Sequence, residues 1–452
     1  MARRTGLALI LAALVAALAC GPAEEEPGAR APAAQPPAPA AAAPKPSGAT
    51  LERGLLLALS PFEVSPEGKV LPKPGAARVE ILRRRGGVWE LKTLEDPESN
   101  VFHKAMVYEP PAGGPGILTL GGMAAALKLW RPDGSVETLW SADFGGRFSR
   151  MRDAEVADLY GDGTPSLVVA THDQGVVASV RPGAQGWEVA ELDREKDTFV
   201  HEIEVGDLDA DGVLEVYATP SEPNRLDGTP QPGKVTRYVP ARGEGRSVAA
   251  DLGSRHAKEI LVDDVDGDGT DELYVSLEGE TEGQGAALRL VHPVEIRRYD
   301  AGTDPAGGAV IARLEGERLC RVLTAGDVDG DGRKELVAAA FKSGLWLLRP
   351  GADPRGPWSV TSIDRESGGF EHAALLADLD GDGRDELYVA SDDHAEVRRY
   401  TWSAVPEGVP DQPGGGAFNR ETIYERKVDG RKLPGAAFTW NIMPVPVELI
   451  PQ

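Results

Sequence analysis

Five nine-residue segments of the chain share a pattern of acidic residues and glycines. They read DLYGDGTPS, DLDADGVLE, DVDGDGTDE, DVDGDGRKE and DLDGDGRDE, and begin at Asp158, Asp207, Asp264, Asp327 and Asp378. The last four have carboxylates at positions 1, 3, 5 and 9. In a tight loop, alternate carboxylates turn towards one centre, the carbonyl of position 7 adds an oxygen, and glycine permits the bend. This oxygen-rich arrangement predicts four sites for Ca²⁺.

Each of the four predicted sites combines three aspartates with one glutamate. The predicted ligands are Asp207, Asp209, Asp211 and Glu215; Asp264, Asp266, Asp268 and Glu272; Asp327, Asp329, Asp331 and Glu335; and Asp378, Asp380, Asp382 and Glu386. The first segment has Tyr160 and Ser166 in place of two ligands and keeps Asp158 and Asp162. We expect that segment to bind metal weakly or to be empty.

The segments that follow the loops indicate strands. An EF-hand begins with the same Asp-x-Asp-x-Asp-Gly, but it requires a bidentate Glu at position 12 and helices on both sides. Position 12 is here Ala218, Val275, Ala338 or Val389, within the segments LEVYA, ELYVS, ELVAA and ELYVA. Such apolar, β-branched segments are typical of strands. The acidic loops therefore connect two strands.

The loops belong to a longer repeat. Their first aspartates are 49, 57, 63 and 51 residues apart, a spacing that favours one four-stranded unit per repeat. An apolar strand A precedes each loop and strand B follows it. Strand C ends in an arginine, whose stem we expect to cover an apolar rim while its head reaches water. Strand D completes the unit, and a degenerate copy without the acidic pattern lies at residues 103–120.

The two chain ends are predicted to share one unit. FTWNIMPV from Phe438 supplies its strand A, and LLLALS, VEILRRR and WELKTLED from the N-terminal part supply strands B, C and D. Such closure protects the sheet edges of the first and last units. The predicted fold class is all-β, a seven-bladed β-propeller with the acidic loops between strands A and B; six or eight blades are the alternatives.

The loops and strands resemble those of the FG-GAP and VCBS repeat family, which includes the N-terminal propellers of integrin α subunits. The resemblance covers approximately residues 51–452. It implies that the loops lie on the lower face of the propeller, that the acidic residues at the matching positions are the calcium ligands, and that the metal is structural.

The N-terminal residues read as an export signal. Arg3 and Arg4 precede an apolar run that ends at Cys20, and the junction Ala-Leu-Ala-Cys resembles a bacterial lipobox. We predict a lipoprotein signal peptide over residues 1–19, with an ordinary signal peptide as the alternative. Lipidated Cys20 would then attach the chain to a membrane. The expected location is the bacterial cell envelope, on an outer-membrane surface that faces the periplasm or the outside.

Composition separates a tether from the propeller and excludes one class of partner. Residues 20–50 are rich in proline and alanine, as in a semi-rigid tether, and the propeller is predicted over 51–452. Cys320 is the only other cysteine, so no disulfide is expected in the mature chain. The formal charge of −24 argues against nucleic acid, whose phosphates require a basic surface.

A second column of residues lies six positions before the first aspartate of each loop. It contains Arg152, His201, Lys258, Arg321 and His372, with His103 in the degenerate repeat and Trp440 in the seventh strand A. The starts of the A strands should surround the propeller axis at the end opposite the acidic loops. Two long connections between strands B and C, 220–233 and 278–293, should lie at that same end. Converging positive groups favour an anionic ligand such as a uronate, a phosphate or a terminal carboxylate. Alternatively, the cations pair with neighbouring acids and only complete the strands.

The sequence contains no nucleophile elbow, no HExxH segment and no phosphate-binding glycine loop. Three functions remain. The preferred one is a surface-displayed binding or adhesion module for an anionic glycan or an envelope component. The second is a polysaccharide-processing enzyme, such as a lyase that acts on acidic glycans and uses the basic column. The third is a structural scaffold of the envelope.

Overall fold

The computed structural model describes residues 53–123, 125–145, 149–172, 174–220, 222–283, 288–404 and 416–450. The predicted signal peptide, Cys20 and the tether lie outside these residues. The described residues form strands and three 3₁₀ turns, Pro240–Arg242, Asp392–His394 and Val447–Leu449. No helix in the described part of the chain has the length and apolarity that a membrane span requires.

Among the described residues, seven sheets of four or five strands are the blades of a β-propeller, and two further sheets are short two-stranded hairpins. From the axis outwards, blade 1 contains β33 (Ala437–Pro446), β1 (Arg53–Val64), β3 (Ala77–Arg85) and β4 (Val88–Asp96). The short strand β2 (Val70–Pro74) also pairs with β1. Strand β33 pairs with β1 over Arg53 to Pro61 of β1, so both chain ends close the ring as the sequence predicted.

The next three blades are continuous in the chain. Blade 2 contains β5 (Val101–Tyr108), β6 (Gly116–Gly122), β7 (Ala125–Trp130) and β8 (Val136–Ala142). Blade 3 contains β9 (Met151–Ala157), β10 (Ser166–Thr171), β11 (Val176–Gly183) and β12 (Gly186–Arg194). Blade 4 contains β13 (Val200–Gly206), β14 (Glu215–Pro220), β15 (Gly233–Val239) and β16 (Glu244–Gly253).

The last three blades follow the same order. Blade 5 contains β17 (Ala257–Asp263), β18 (Glu272–Leu277), β21 (Val294–Tyr299) and β22 (Ala309–Leu314), with the hairpin β19 (Glu280–Glu282) and β20 (Arg289–His292) inserted. Blade 6 contains β23 (Cys320–Gly326), β24 (Glu335–Ala340), β25 (Gly344–Arg349) and β26 (Ser359–Asp364). Blade 7 contains β27 (Ala374–Ala377), β28 (Glu386–Ser391), β29 (Glu396–Ala404) and β30 (Gly416–Glu425), and the hairpin β31 (Lys427–Val428) and β32 (Arg431–Lys432) follows.

Burial explains the different composition of inner and outer strands. The second strands of blades 2 to 7 are buried along their whole length, because they have sheet on both sides and neighbouring blades on both faces. Their nearly continuous apolar sequences fit that environment. The outermost strands, such as β8 and β12, alternate or are largely exposed. The apolar core therefore lies between adjacent blades rather than in one central mass.

A buried ion network joins blade 7 to blade 1. Asp392 accepts hydrogen bonds from the backbone N–H of Thr439 (2.6 Å) and from its hydroxyl (2.8 Å), and it pairs with Arg426. Arg426 also donates to Glu80 of β3 (2.7 Å). Because these groups come from both sides of the ring closure, the network fastens the last blade to the first.

The innermost strands share an irregularity at their first residues. In β9, β13, β17, β23 and β33 the pairing with the second strand skips one residue. Such a β-bulge changes the direction of the side chain of the skipped residue. The skipped residues are Arg152, His201, Lys258, Arg321 and Trp440. In β5 the irregular stretch includes His103 and Lys104, and His372, just before β27, has a positive φ of 50°. The column found in the sequence is therefore a column of bulged or strained backbone positions.

Candidate functional sites

Each acidic loop connects the first and second strands of its blade, on the face that we call the lower face. The first aspartate of each loop orders the backbone by accepting its N–H groups. Asp207 accepts from Asp211 (3.0 Å) and Gly212 (2.8 Å), and Asp264 accepts from Gly267 (2.8 Å) and Gly269 (3.0 Å). The same bonds recur in the loops at Asp327 and Asp378. Position 1 therefore fixes the bend that brings the other carboxylates together.

The structure brings carboxylates together in all four loops. In blade 5, one oxygen from each of Asp264, Asp266, Asp268 and Glu272 lies within 4.8 Å of the others. The other blades each bring three together, namely Asp207, Asp209 and Asp211; Asp327, Asp329 and Glu335; and Asp378, Asp380 and Asp382. Glu215, Asp331 and Glu386 lie in these loops but outside the grouped sets. Clustered carboxylate oxygens are the ligands that Ca²⁺ prefers, so the residues fit that ion.

The glutamate at position 9 anchors each loop to its blade. Its Oε2 accepts the backbone N–H of position 2, as between Glu215 and Leu208 (3.1 Å) or Glu335 and Val328 (3.2 Å). In blades 4, 5 and 7 the same oxygen also accepts the hydroxyl of a tyrosine two residues further on, Tyr217, Tyr274 or Tyr388. Burial raises the pKa of Glu272, Glu335 and Glu386 to about 7 each, and a bound divalent cation would favour their ionised forms.

The arginines at the ends of the third strands contact these loops, which the sequence analysis missed. Arg298 lies 2.7 Å from Asp266 and 3.0 Å from Glu272, with only 2% of its side chain exposed. Arg349 lies 2.7 Å from Asp329, and Arg237 lies 2.5 Å from Glu215. The expectation that these heads reach water was wrong for Arg298, whereas Arg237 pairs with its loop and keeps 25% of its side chain exposed. The acidic loops require counter-charges, and the recurrence of an arginine after each third strand was the signal available in the sequence.

The loop of blade 3 has the same backbone arrangement with fewer acids. Asp158 accepts the N–H groups of Asp162 (3.0 Å) and Gly163 (2.8 Å), as in the other loops. Tyr160, which replaces the second aspartate, bonds to the hydroxyl of Ser179 (2.7 Å), and Arg181 pairs with Asp162 (2.7 Å). Asp158 and Asp162 belong to none of the carboxylate groups found among the described residues. The bend therefore forms without a cation-sized cluster of oxygens.

A cavity of about 170 Å³ lies on the propeller axis. We call it the axial cavity. The residues of the basic column that line it are His103, Arg152, Arg321 and Trp440. The B-to-C connections and the entrances to the innermost strands are at this end of the axis, which we call the upper mouth. The lower-face loops lie at the other end of the same strands.

The other three residues of the column face neighbouring groups. His201 donates from Nδ1 to the carbonyl of Lys258 (3.0 Å) and accepts at Nε2 from Arg152 (2.8 Å). The ammonium of Lys258 pairs with Glu222 (2.9 Å), in the segment between β14 and β15. His372 is fully buried and bonds to the carbonyl of Ala340 (2.8 Å). These residues support the mouth from outside the cavity.

Acidic residues lie directly beneath the column. Six carboxylates line the axial cavity together with the three cations Lys104, Arg152 and Arg321; the acids are Asp153, Glu155, Glu202, Glu204, Glu259 and Glu371. Some of them also tie adjacent blades together. Asp153 accepts the N–H of Ile203 (3.0 Å), and Glu259 accepts that of Leu323 (2.9 Å). The cavity is therefore a site of mixed charge with an acidic excess.

The charges in the axial cavity shift one another's protonation. Burial, together with nearby Asp153 and Glu259, raises the pKa of Glu202 well above its usual range, and burial beside Glu155 does the same for Glu204. Burial opposes the charge of Lys104, but Asp153 and Glu155 outweigh it and raise the pKa of that ammonium. Burial lowers the pKa of His103 well below its usual value, and Arg152 adds to the effect. Near neutral pH His103 is therefore neutral, and the cations of the cavity wall are Lys104, Arg152 and Arg321.

Both arginines keep donor groups without a hydrogen-bond partner. Arg152 and Arg321 are each 6% exposed. Among the described residues, the Nε atoms of both, Nη1 of Arg321 and Nε1 of Trp440 have no hydrogen-bond partner. The nearest acids are Glu371, 3.6 Å from Arg152, and Glu278, 3.3 Å from Arg321. Buried donors normally have partners, so unpartnered ones in a cavity wall indicate a place for a ligand or water.

A row of aromatic rings from blades 7, 1 and 2 lies along one side of the upper mouth. Trp440 packs edge-on against His103 (4.8 Å between centroids) and Phe370 (6.2 Å), and Phe370 packs against Phe438 (5.3 Å). Arg152 lies over the ring of Trp440 at 5.2 Å, and Arg321 lies over Phe370 at 5.6 Å. The guanidinium groups are thus held by aromatic faces as well as by carboxylates.

The fold and the repeated loops define a seven-bladed β-propeller whose first inter-strand connection carries an acidic motif. Residues 327–389 match the FG-GAP-like repeat family. This match confirms, for that part of the chain, the resemblance to FG-GAP repeats seen in the sequence.

Several solved structures are similar in fold. A putative 6-phosphogluconolactonase from Bacteroides fragilis is 13% identical, with a TM-score of 0.44 over 89% of this chain and 100% of that one. The periplasmic gluconolactonase of Pseudomonas aeruginosa is 16% identical, with a TM-score of 0.42 over 82% and 100%. A chain of a nidogen/laminin complex is 14% identical, with a TM-score of 0.36 over 77% of this chain and 89% of that one. No curated protein matches the sequence.

Proposed function

We propose that this chain is a calcium-stabilised binding module of the bacterial cell envelope that recognises an anionic group at the upper mouth of its propeller. The signal-like N-terminus, Cys20 and the proline-rich segment support a lipoprotein that a tether holds at the outer membrane. The lower-face loops supply structural Ca²⁺ sites. The upper mouth supplies the binding site.

The observation that carries the binding proposal is the pair of buried arginines in the cavity wall. Arg152 and Arg321 come from blades 3 and 6, and the bulges at the starts of β9 and β23 direct them to the mouth. Their unpartnered donors match the acceptor oxygens of a carboxylate or a phosphate. Pairing with Glu371 and Glu278 leaves that capacity unfilled, which favours ligand binding over a purely strand-completing role.

The calcium proposal rests on repetition and fit. Four loops bring oxygens of three or four carboxylates within 4.8 Å of one another, whereas the loop of blade 3 keeps the bend and lacks the cluster. A cation in the four loops would neutralise acids that the nearby arginines balance only in part. Because these loops join the two innermost strands of their blades, bound metal would stiffen the ring and leave the mouth free.

Calorimetric titration tests the binding function. Galacturonate, glucose 6-phosphate and acetate would be titrated into the calcium-loaded protein. We expect at least one of these anions to bind, and Arg321→Gln to weaken that binding about 30-fold or more, because a buried charge-assisted contact is lost. Arg194→Gln is the control, since Arg194 lies on the outer strand β12 and pairs with Glu191.

Two results would contradict the proposal. One is that no anion of the panel binds at millimolar concentration. The other is that Arg321→Gln and Arg194→Gln bind as the parent does. The melting temperature of each variant would show that a loss of binding is not a loss of folding.

A further inference from the structure

We propose that the anionic group bound in the axial cavity is a uronic acid residue, a sugar ring that carries one carboxylate. This inference rests on the proposed function, because it names the ligand of the same site. It follows from the net charge of the cavity, from the division of its wall into a polar and an apolar side, and from its size.

The charge of the cavity favours a monoanion. Arg152 already lies 3.6 Å from Glu371 and Arg321 lies 3.3 Å from Glu278, and Asp153 also lines the cavity. A phosphate dianion would bring a second negative charge beside these acids, and like charges are costly in a partly buried site. A single carboxylate can pair with Arg152 and Arg321 and place the rest of its molecule, uncharged, near the acids.

The wall of the cavity has two chemically different sides. Blades 2 to 5 contribute mainly charged residues, including Lys104, Glu155 and Glu204. The side formed by blades 6, 7 and 1 has Arg321 and Glu371 at the mouth and is otherwise mainly apolar, with Val322, Leu323, Ala373, Ala374, Leu375, Ile442 and Met443. A pyranose ring has the same division, because its hydroxyl groups point outwards and its C–H groups form an apolar face. The carboxylates would accept the hydroxyls, and the apolar side would pack against the C–H face.

The aromatic rings extend the apolar side to the mouth. Trp440 lines the cavity, and Phe370, of which 40% is exposed, packs edge-on against it at the rim. Nε1 of Trp440 has no hydrogen-bond partner among the described residues and can donate to a ring or hydroxyl oxygen. A simple carboxylate such as acetate would use the arginines and leave this surface uncovered.

The size of the cavity limits the ligand to one sugar residue. A volume of about 170 Å³ lies below the 300 Å³ or more that is typical of sites for drug-sized ligands. The remainder of an acidic glycan would therefore lie outside the cavity. Two segments lie at the same mouth, because Glu222 of the first pairs with Lys258 and Glu278, just before the β19–β20 hairpin, lies beside Arg321. These segments are placed to contact the rest of the glycan.

Competition among related small molecules tests the inference. Galacturonate and short oligogalacturonides would be compared with glucose, which lacks the carboxylate, with glucose 6-phosphate, which carries a dianion, and with acetate, which lacks the ring. We expect galacturonate to bind about tenfold more tightly than each of the other three monomeric compounds. Trp440→Leu should reduce that preference over acetate, and Arg321→Gln should reduce the preference over glucose.

The outcomes separate the two proposals. Tightest binding of galacturonate supports both. Tighter binding of glucose 6-phosphate, or equal binding of acetate, overturns the uronate inference and leaves the anion-binding function standing. Failure of every anion to bind overturns both. If Trp440→Leu does not fold, Phe370→Ala at the exposed rim provides the same comparison with less disturbance of the core.

Discussion

The two ends of the propeller axis use acidic residues in opposite ways. On the lower face, the same loop recurs in four blades, its aspartates are half-buried or exposed, and each first aspartate is bonded to backbone N–H groups. At the upper mouth, the acids are enclosed, they differ from blade to blade, and they share a few cations and bridge adjacent blades. The residues that build each blade recur from blade to blade. The residues that line the cavity differ between blades.

This difference indicates how one repeat can serve two purposes. A loop whose bend is held by its own first aspartate can recur in every blade. A cavity on the axis collects one residue from each blade, so its asymmetry requires the blades to diverge at a single position. The bulge at the start of the innermost strand provides that position, because it presents a side chain to the mouth without changing the sheet beyond it.

The largest expected effect concerns the buried ion network that joins blade 7 to blade 1. Asp392→Ala removes the acceptor of Thr439 and leaves Arg426 buried with one partner fewer, so the free energy of unfolding should fall by about 3–5 kcal/mol. Urea denaturation in calcium and in chelator measures it. Because this network contains no proposed metal ligand, the loss should be equal in both. Asp393→Ala, at the exposed neighbour, should change stability by about 0.5 kcal/mol or less.

The next effect contrasts two lower-face loops. Asp268→Asn keeps an oxygen for the N–H of Thr270 (2.9 Å) but removes one charge from the four-carboxylate group of blade 5. It should abolish a calcium-dependent stabilisation of about 2.7 kcal/mol at 100 times the dissociation constant and have little effect in chelator. Thermal unfolding at graded calcium concentrations measures the difference.

The matched control for that prediction is Asp162→Asn in blade 3. Asp162 occupies the same loop position and accepts the N–H of Thr164 (3.0 Å), but it belongs to no carboxylate cluster among the described residues. Its substitution should leave the calcium dependence unchanged. Equal calcium-dependent losses in the two variants, or none in either, would contradict the assignment of the metal sites.

The smallest effect concerns pH at the axial cavity. Glu204 faces Glu155, Lys104, Asp153 and Glu259, and burial holds its pKa well above the ordinary 4.5. The folded state therefore keeps a proton that the unfolded state loses, and stability falls as pH rises above about 4.5 towards the folded pKa. Glu204→Gln stays neutral, so its advantage over the parent should grow with pH to about 1 kcal/mol. A difference that does not vary with pH would contradict this explanation.

Much of this architecture could be predicted from the sequence because the repeat displays it. The acidic loops, the strands around them and the closure of the ring by Phe438 onwards all have local signals. The role of Arg298 and its equivalents was missed, because an arginine at a strand end is equally compatible with a solvent-exposed head. The basic column was visible, but the bulge that produces it depends on pairing with the next strand, and the apolar half of the cavity depends on how the blades face one another.

The central claim is that the lower-face loops bind calcium and the axial cavity does not. Diffraction from crystals grown in calcium, with the anomalous signal measured at a long wavelength, tests it most directly. The account predicts calcium peaks in the loops that begin at Asp207, Asp264, Asp327 and Asp378, and none in the loop at Asp158 or among the carboxylates of the axial cavity. Calcium beside Glu202 and Glu259, with the four lower-face loops empty, would contradict it.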